Sequence, residues 1–443
     1  MESDLDLADA GCPHGQAADA PRDFPRGVRV RIHRGAHEIG GSCVEVEAGG
    51  CRLVLDVGRP LDAARDEKVP LPTVAGFAES DPSLVGVAIS HAHQDHWGLV
   101  GQVPPHIAVY MGEATHRILA EAAFWTAGLV VKPRGFLAHR RPIQIGPFRV
   151  TPFLNDHSAF DAYSLLVEHD KKRLFYTGDV RGHGRKGGVF EEFLRNPPGD
   201  VDVLLMEGTN IRAEQTHEAE QLTESQLEEI CRSTFLATQG IVLALSSSQN
   251  IDRLVTLYRA AKRSGRAFVM DLYTASIARA TGNNNIPQPG PTWKDVKVFL
   301  PLWQRRKVKD AGQFHRVEEI RPYRVFEEDL ARQRTKLVMM FSLSSGLLLD
   351  RAGCLDGAGA VWSLWPGYLK EESGKRLVSF LKERGIPLRV HHTSGHASVK
   401  DLQRLASAIN ANRLVPIHSL GSHRYADYFN DVEIQPDGAW WTV

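Results

Sequence analysis

The chain has 443 residues, of which 42% are hydrophobic and 24% are charged, and this globular composition excludes a disordered or fibrous protein. No stretch approaches the ~18 consecutive apolar residues of a membrane-spanning helix, so we expect no membrane partner. Basic and acidic residues balance at 53 each, so the net charge by itself identifies no binding partner.

The first 27 residues are rich in acidic and small residues and contain no apolar segment. They predict a flexible tail rather than a signal peptide. The five cysteines are scattered, odd in number and without a CxxC pair. This usage favours a reducing compartment, and we expect a cytoplasmic protein.

Short apolar or alternating runs predict a series of β-strands in the first half of the chain. The Gly49-Gly50 pair between two of these runs predicts a hairpin turn. His157, Asp179 and Glu207 each follow a predicted strand, within four residues of its end. The predicted strands are residues 28–32, 42–47, 52–56, 84–90, 148–153, 163–167, 173–176 and 201–206.

The second half alternates predicted strands with predicted helices, which is the pattern of a parallel sheet with crossover helices. Asn250 and Ser398 are candidate N-caps, and Ser398 with Asp401 has the form of a capping box. The predicted helices are residues 218–237, the segment after Asn250, and 399–409; the predicted strands are 240–245, 267–270, 388–392 and 414–417.

Charge is distributed unevenly along the chain. Residues 210–384 carry 26 basic and 20 acidic side chains, a net charge of +6, and the remainder carries −6. A basic middle segment can bind a polyanion while an acidic remainder binds cations. The alternative is that these charges simply lie on a solvated surface, with an uneven distribution along the chain that has no function.

The run His91-Ala-His93-Gln-Asp95-His96 places four potential metal ligands within six residues. Imidazoles suit zinc, and a carboxylate suits a second cation with more oxygen ligands. Because neighbouring side chains leave a turn in different directions, two adjacent ions explain the run better than one. A histidine-rich surface loop is the alternative, but a buried strand precedes this run and Trp97-Gly98 follows it.

This run resembles the HxHxDH motif of the metallo-β-lactamase fold. The resemblance implies that Asp56 orients a ligand, that His157 is a ligand, and that Asp179 bridges two ions. The last histidine ligand would be His418, 239 residues beyond Asp179. Members of the fold without an insertion place this last ligand within several tens of residues of the bridging aspartate. The resemblance therefore implies an inserted segment between Asp179 and His418.

The insertion resembles that of the β-CASP nuclease family, which includes ribonuclease J. Glu207, His396 and His418 resemble its three additional motifs, and residues 247–253 resemble the start of a helix in its insert. The resemblance implies an α/β fold, a metallo-β-lactamase αββα sandwich with an inserted β-CASP domain built on a parallel sheet. The implied divisions are a tail (1–27), a first sandwich part (28–209), the β-CASP domain (210–384) and a last sandwich part (385–443).

By this resemblance, two Zn(II) ions bind per chain, with Mn(II) as the alternative metal. Asp95, Asp179, His396, Glu207 and Asp56 are the implied catalytic residues. One ion would be held by His91, His93 and His157, the other by Asp95, His96 and His418, with Asp179 shared. The implied phosphate or RNA contacts are Ser394, Gly395, His396, Ser247, Asn250 and Arg253.

We further expect free backbone amides before the helix that Ser398 caps to form an anion site. The basic side chains Arg253, Arg259, Lys262, Arg263 and Arg266, with the run 305–309, are candidate phosphate contacts.

The expected function is hydrolysis of single-stranded RNA, as an endonuclease, a 5′-to-3′ exonuclease or both, by a water that two metals activate. A homodimer is left open as the assembly. The alternatives are a DNA nuclease, a non-catalytic RNA-binding subunit, and a small-ester or thioester hydrolase. The complete ligand set argues against the second, and the basic insert and His396 argue against the third.

Overall fold

The computed structural model describes residues 27–64, 67–126, 128–212 and 221–443. The predicted tail, apart from Gly27, and residues 218–220 of a predicted helix lie outside the described residues. The strands and helices are numbered here in chain order.

Two sheets pack face to face in the part of the chain that the sequence analysis assigned to a sandwich. The first has the order β20-β1-β2-β3-β4-β5-β6 and the second the order β19-β11-β10-β9-β8-β7. Their strands are β1 (Val28–Arg34), β2 (Cys43–Ala48), β3 (Cys51–Leu55), β4 (Leu84–Ala88), β5 (Val109–Gly112), β6 (Gly135–Leu137), β7 (Ile143–Ile145), β8 (Phe148–Leu154), β9 (Tyr163–His169), β10 (Lys172–Tyr176), β11 (Val203–Glu207), β19 (Arg413–Ile417) and β20 (Trp440–Thr442).

Gly49 and Gly50 have φ angles of 58° and 76°, and they connect the facing residues Ala48 and Cys51. Two successive positive φ angles characterise a type I′ turn, whose twist matches that of the flanking strands. The predicted hairpin is therefore confirmed.

A third sheet lies in the middle of the chain and is entirely parallel. Its order is β15-β14-β13-β16-β12-β17-β18. The strands are β12 (Val242–Leu245), β13 (Ala267–Asp271), β14 (Val296–Phe299), β15 (Arg324–Val325), β16 (Leu337–Met340), β17 (Gly359–Trp362) and β18 (Leu388–Val390). The predicted parallel α/β segment is confirmed, and its sheet runs from residue 242 to residue 390.

Helices cover the outer faces of all three sheets. They are α1 (Gln94–Trp97), α2 (Glu113–Thr126), α3 (Gly187–Arg195), α4 (Glu224–Ala237), α5 (Ile251–Arg263), α6 (Leu272–Ala280), α7 (Leu302–Asp310), α8 (His315–Ile320), α9 (Glu327–Gln333), α10 (Gly346–Arg351), α11 (Glu372–Glu383) and α12 (Val399–Ile409). The helix predicted over 218–237 begins only at Glu224, because Thr223 forms a capping box with Gln226.

Apolar side chains from the facing sides of the first two sheets form one core, which includes Val30, Leu53, Leu165 and Val203. On the outer face of the second sheet, α3 and α12 contribute Phe190, Phe193, Leu402 and Leu405 to a separate core. The parallel sheet has a core on each face. Its α2-facing core includes Ile118 and Trp125, so α2 packs against both the first sheet and the inserted segment.

Candidate metal centre

The candidate site lies where strands of the two packed sheets end. Asp56 follows β3, His91 follows β4, His157 follows β8, Asp179 follows β10, Glu207 ends β11, and His418 follows β19. Polar groups collect at such strand ends because the neighbouring parallel strands end at the same edge of the sheet. The topology thus brings together residues that are up to 362 positions apart in the sequence.

Residues 91–96 form a turn that leads into α1. The backbone carbonyl of Asp95 accepts a hydrogen bond of 3.0 Å from the amide of Ser42, which joins the turn to the start of β2. At Gly58, a Cβ atom would lie 1.8 Å from the same carbonyl oxygen. A glycine is therefore needed at this position for the turn to pack this closely.

The first group of potential ligands contains His91, His93, His157 and Asp179. Their ligand atoms all lie within 4.8 Å of one another. The Nε2 atom of His157 lies 3.0 Å from Nδ1 of His93. The Oδ2 atom of Asp179 lies 3.5 Å from Nε2 of His91 and 3.8 Å from Nε2 of His157. Three imidazoles and one carboxylate oxygen thus converge on one point.

The second group contains Asp95, His96, His418 and the same Asp179. The Oδ1 atom of Asp179 lies 3.2 Å from Nε2 of His96 and 3.7 Å from Nδ1 of His418. Nε2 of His418 lies 3.2 Å from Oδ2 of Asp95. The two oxygens of Asp179 therefore face different groups, which is the geometry of a carboxylate placed between two cations.

Several polar atoms of these groups are buried and have no hydrogen-bond partner among the described residues. They are Nε2 of His91, Nε2 of His96 and both carboxylate oxygens of Asp179. Such atoms are rare in folded proteins and call for a ligand. Burial also lowers the pKa of His91 and His157 well below its usual value, which keeps these imidazoles neutral and able to donate electron pairs. The donor set fits transition metals such as zinc.

Asp56 lies directly behind this centre and is completely buried. Its Oδ2 atom accepts a 2.7 Å hydrogen bond from the Tyr176 hydroxyl and lies 2.7 Å from Nδ1 of His96. Its Oδ1 atom accepts a hydrogen bond of 2.7 Å from the Ser90 amide. By holding Nδ1 of His96, Asp56 directs the other ring nitrogen towards Asp179. This placement supports the orienting role expected from the sequence.

The exchange Asp56→Asn should weaken metal retention by about 10- to 100-fold, the usual effect of losing a group that orients a ligand. Competition with a chromogenic chelator measures this change. Asp170→Asn, at a side chain that is 85% exposed, is the matched control and should retain metal like the unchanged protein. Equal retention by both variants would contradict the role of Asp56.

His396 and Glu207 form a pair beside the two groups. Nδ1 of His396 lies 3.2 Å from Oε1 of Glu207 and 3.7 Å from Oδ2 of Asp179. Burial lowers the pKa of His396, but the carboxylates of Glu207 and Asp179 outweigh it and raise this pKa to about 9. The backbone amides of Val180 and Thr209 each donate a hydrogen bond of 3.1 Å to Glu207, so the carboxylate is fixed in place.

The loop that carries His396 is held close to the first ligand group. A Cβ atom on Gly395 would lie 2.9 Å from Oγ of Ser158, so a larger residue here would displace the Ser158 side chain. The Asn210 side chain donates to the carbonyls of His396 and Ala397 at 3.1 and 2.8 Å.

The prediction that the backbone amides of this loop are free to bind an anion is wrong at two positions. The amide of His396 donates to Oγ of Ser394 at 3.1 Å, and the amide of Ala397 donates to the carbonyl of Val180 at 2.6 Å. The cap itself is confirmed, since Oγ of Ser398 accepts from the Asp401 amide at 3.0 Å.

The prediction that Arg253 contacts RNA is wrong. Its guanidinium is completely buried and donates to the carbonyls of Ser363 and Thr393 and to the carboxylate of Glu224. Asn250 caps α5 by accepting from the Arg253 amide. Ser247 is exposed, and its contact with RNA stays a prediction, as do those of Asn250, Ser394 and Gly395.

Other members of the predicted basic patch are also engaged within the protein. Arg259 and Arg263 both pair with Glu228, at 2.8 and 2.9 Å. Arg266 is buried and donates to the carbonyl of Gly240. A polyanion would therefore have to compete with Glu228 for Arg259 and Arg263, and Arg266 is not accessible to it.

The sequence analysis missed a buried ionic network beside the metal centre. The guanidinium of Arg181 is completely buried and donates to Asp252 Oδ2 at 2.6 Å and to the Ser394 carbonyl at 3.0 Å. Oε1 of Glu224 lies 3.5 Å from Arg181 and 3.2 Å from Arg253. The network joins the strand-end loop after Asp179 to helices α4 and α5 and to the loop of His396. No local pattern in the sequence predicts it.

The exchange Asp252→Ala should lower the free energy of unfolding by about 3–5 kcal/mol, because it removes the carboxylate closest to the buried guanidinium of Arg181 and leaves the longer contacts with Asp156 and Glu224. Chemical denaturation measures this loss. Arg259→Ala removes a half-exposed guanidinium on the same helix and should cost at most about 1 kcal/mol, because its partner Glu228 keeps the ion pairs with Arg185 and Arg263. A similar small effect of both exchanges would show that the network contributes little.

Residues 62–242 match the beta-lactamase superfamily domain. This part of the chain therefore contains a beta-lactamase superfamily domain. It is 23% identical to the ribonuclease J of Sinorhizobium meliloti over 386 residues, which cover 80% of this chain and 61% of that protein. It is 22% identical to the ribonuclease J of Pyrococcus abyssi over 427 residues, covering 88% and 89% of the two chains.

An RNase J-like protein of Methanocaldococcus jannaschii is 27% identical over 277 residues, which cover 57% of this chain and 60% of that protein. The chain thus spans about three fifths of the length of the relatives from S. meliloti and M. jannaschii. The similarity to the two ribonuclease J proteins covers 80% and 88% of the chain, well beyond the matched domain.

A solved structure supports the fold. A protein of unknown function from Enterococcus faecalis V583 superposes with a TM-score of 0.75 at 18% identity, covering 94% of this chain and all of that one. The αββα sandwich with an additional α/β segment is therefore confirmed. None of the helices within the described ranges is long and apolar enough to cross a membrane.

Proposed function

We propose that this chain is a metal-dependent nuclease that hydrolyses phosphodiester bonds of RNA. The observation that carries the proposal is the position of Asp179, whose two oxygens face two separate ligand groups beside the His396–Glu207 pair. Two cations held on either side of this carboxylate would stabilise the negative charge that a phosphate gains when water attacks it. The names of the relatives add RNA as the substrate.

Two Zn(II) ions per chain are the proposed cofactors, with Mn(II) as the alternative. One would be held by His91, His93 and His157, the other by Asp95, His96 and His418, and Asp179 would contact both. When bound, two such cations lower the pKa of a water between them and stabilise negative charge on the phosphate. Asp56 keeps His96 in the orientation that this arrangement requires.

His396 is the proposed proton donor to the leaving 3′-oxygen and a contact of the scissile phosphate. Its Nδ1 atom faces Glu207, so Nε2 is the ring nitrogen left for the substrate. The negative charge of Glu207 favours the protonated imidazole. A protonated histidine beside a phosphate can act as a general acid as the bond to the leaving oxygen breaks.

The proposed division into a sandwich (28–209 and 385–443) and an insert (210–384) would place the nucleic acid in a cleft between them. The second boundary moves beyond residue 390, because β18 (Leu388–Val390) pairs with β17 in the parallel sheet. The strands β12, β17 and β18 are parallel neighbours, so the loops that follow them begin at the same edge of the sheet. The Arg181 network ties that edge to the loop of His396. We further propose that the protein is cytoplasmic and that it assembles as a homodimer.

The proposal is tested with 5′-labelled single-stranded RNA and DNA of one sequence, with and without a chelator. We expect cleavage of RNA that a chelator abolishes and that added zinc or manganese restores. Chelator-sensitive cleavage of DNA alone would favour a DNA nuclease. Hydrolysis of neutral esters without cleavage of either polymer would contradict the proposal.

A further inference from the structure

Four large exposed apolar side chains lie in segments that adjoin the metal centre in the sequence or in space. Leu61 and Asp95 meet over Gly40, where a Cβ atom would lie 2.8 Å from Leu61 Cγ and 3.0 Å from Asp95 Cβ. Leu420 follows the ligand His418 by two residues. The exposed fractions are 57% for Leu61, 61% for Leu420, 53% for Trp365 and 44% for Tyr368. Apolar surface left in water next to a charged centre indicates a binding surface.

Trp365 and Tyr368 pack against each other. Their ring centroids are 5.3 Å apart and the ring planes lie at 85°. The Trp365 ring packs over Gly367, where a Cβ atom would lie 2.0 Å from two ring atoms. Any other residue at 367 would displace this ring. The indole is therefore held against the backbone while half of its surface remains open.

The pair lies in the loop after β17, at the edge of the parallel sheet where Arg253 donates to the carbonyls of both Ser363 and Thr393. Ser363 starts this loop and donates to the carbonyl of His391 at 2.6 Å, and the chain from His391 leads into the loop of His396. The Asp95 carboxylate also lies near enough to contribute, after burial and Glu371, to the raised pKa of the Tyr368 phenol. The pair is thus tied to both the proton-donor loop and the second ligand group.

A ligand that satisfies both features carries an anion for the centre and a flat apolar group for the rings. A nucleotide has this combination, since every base presents a planar face that stacks on aromatic side chains. In a duplex, both faces of a base are already stacked, so only an unpaired base can use the rings.

We propose that Trp365 and Tyr368 form a stacking site for one unpaired base of the nucleic acid whose phosphate lies at the metal centre. This inference rests on the proposed nuclease function. If the inference holds, the aromatic pair makes the protein bind single strands more tightly than duplexes. Removing the base at one nucleotide position near the cleaved bond should then weaken binding.

The test uses single-stranded oligonucleotides with one abasic site moved stepwise along the strand, and binding is measured by fluorescence anisotropy. The His396→Ala background slows cleavage during the measurement. We expect one position at which base removal weakens binding by about 5- to 150-fold, the range for the loss of one stacked base. In Trp365→Ala, the same base removal should have little further effect. An equal loss in both proteins would overturn the inference.

Kinetics with His396 intact provide a second reading. Trp365→Ala and Tyr368→Ala should raise KM and leave kcat nearly unchanged, and Trp365→Phe and Tyr368→Phe should restore most of the KM. Phe136→Ala, at a ring that is 48% exposed on the edge strand β6, is the control and should keep the original KM. Unchanged KM in the alanine variants, or equal binding of duplex and single strand, would contradict the site. Failure of the unchanged protein to cleave any nucleic acid would instead contradict the proposed function, since the binding profile still reports stacking.

Discussion

The exchange Asp179→Ala should remove most of the bound metal and lower the rate of RNA cleavage by more than about 100-fold. The loss should exceed the ~10- to 100-fold typical of groups that only orient a ligand, because Asp179 faces both ligand groups. Elemental analysis should find two metal ions in the unchanged protein and fewer than one in the variant.

Asp179→Asn separates charge from shape at the same position. The amide retains one oxygen but lacks the negative charge that two cations share, so we expect most of the metal and activity to be lost here as well. Asp170→Asn should retain both, since this side chain is 85% exposed. Two metal ions and normal turnover in Asp179→Asn, or fewer than one ion in the unchanged protein after reconstitution, would contradict the proposed centre.

The exchange His396→Ala should lower the cleavage rate by ~10²–10⁴-fold, the usual contribution of a general acid, while the metal content stays the same. The reason is positional: Nδ1 of His396 pairs with Glu207. His396 belongs to a third cluster with Asp179, Glu207 and His418, and not to the two groups that contain the six other proposed ligands. Single-turnover cleavage and elemental analysis on the same preparation measure both quantities.

His93→Ala is the control, and it should lose metal and activity together. A substrate with a better leaving group should restore the rate of His396→Ala if the histidine donates a proton, and should restore little if it only binds phosphate. Full metal content with unchanged turnover would contradict both roles. Loss of folding in His396→Ala would assign the residue a structural role instead.

The sequence by itself determined the elements whose signals are local. The hairpin at Gly49-Gly50 and the helix capped by Ser398 depend on residues a few positions apart. The proposed ligand residues were also picked out in the sequence, through the resemblance of residues 91–96 and of the later histidine and aspartate positions to the motifs of a known family. The run 91–96 is dense enough to suggest two ions before any fold is known.

Only the tertiary structure decided how the charges are distributed. Arg253 and Arg259 occupy one helix and look alike in the sequence, but the first is completely buried and the second is largely exposed. The charge of a side chain does not reveal whether it points to solvent or to a buried partner such as Glu224. Arg181 gave no local signal because its partners lie 71 and 213 positions away.

The tertiary structure also decided how the centre can act. The sequence identified Asp179 as a ligand, but only the packing of six strand ends shows that its two oxygens face different groups. Trp365 and Tyr368 read as ordinary apolar residues in the sequence, and only the fold leaves them exposed near Asp95. Local patterns determine elements and residue types, whereas burial and the meeting of distant side chains depend on how the elements pack.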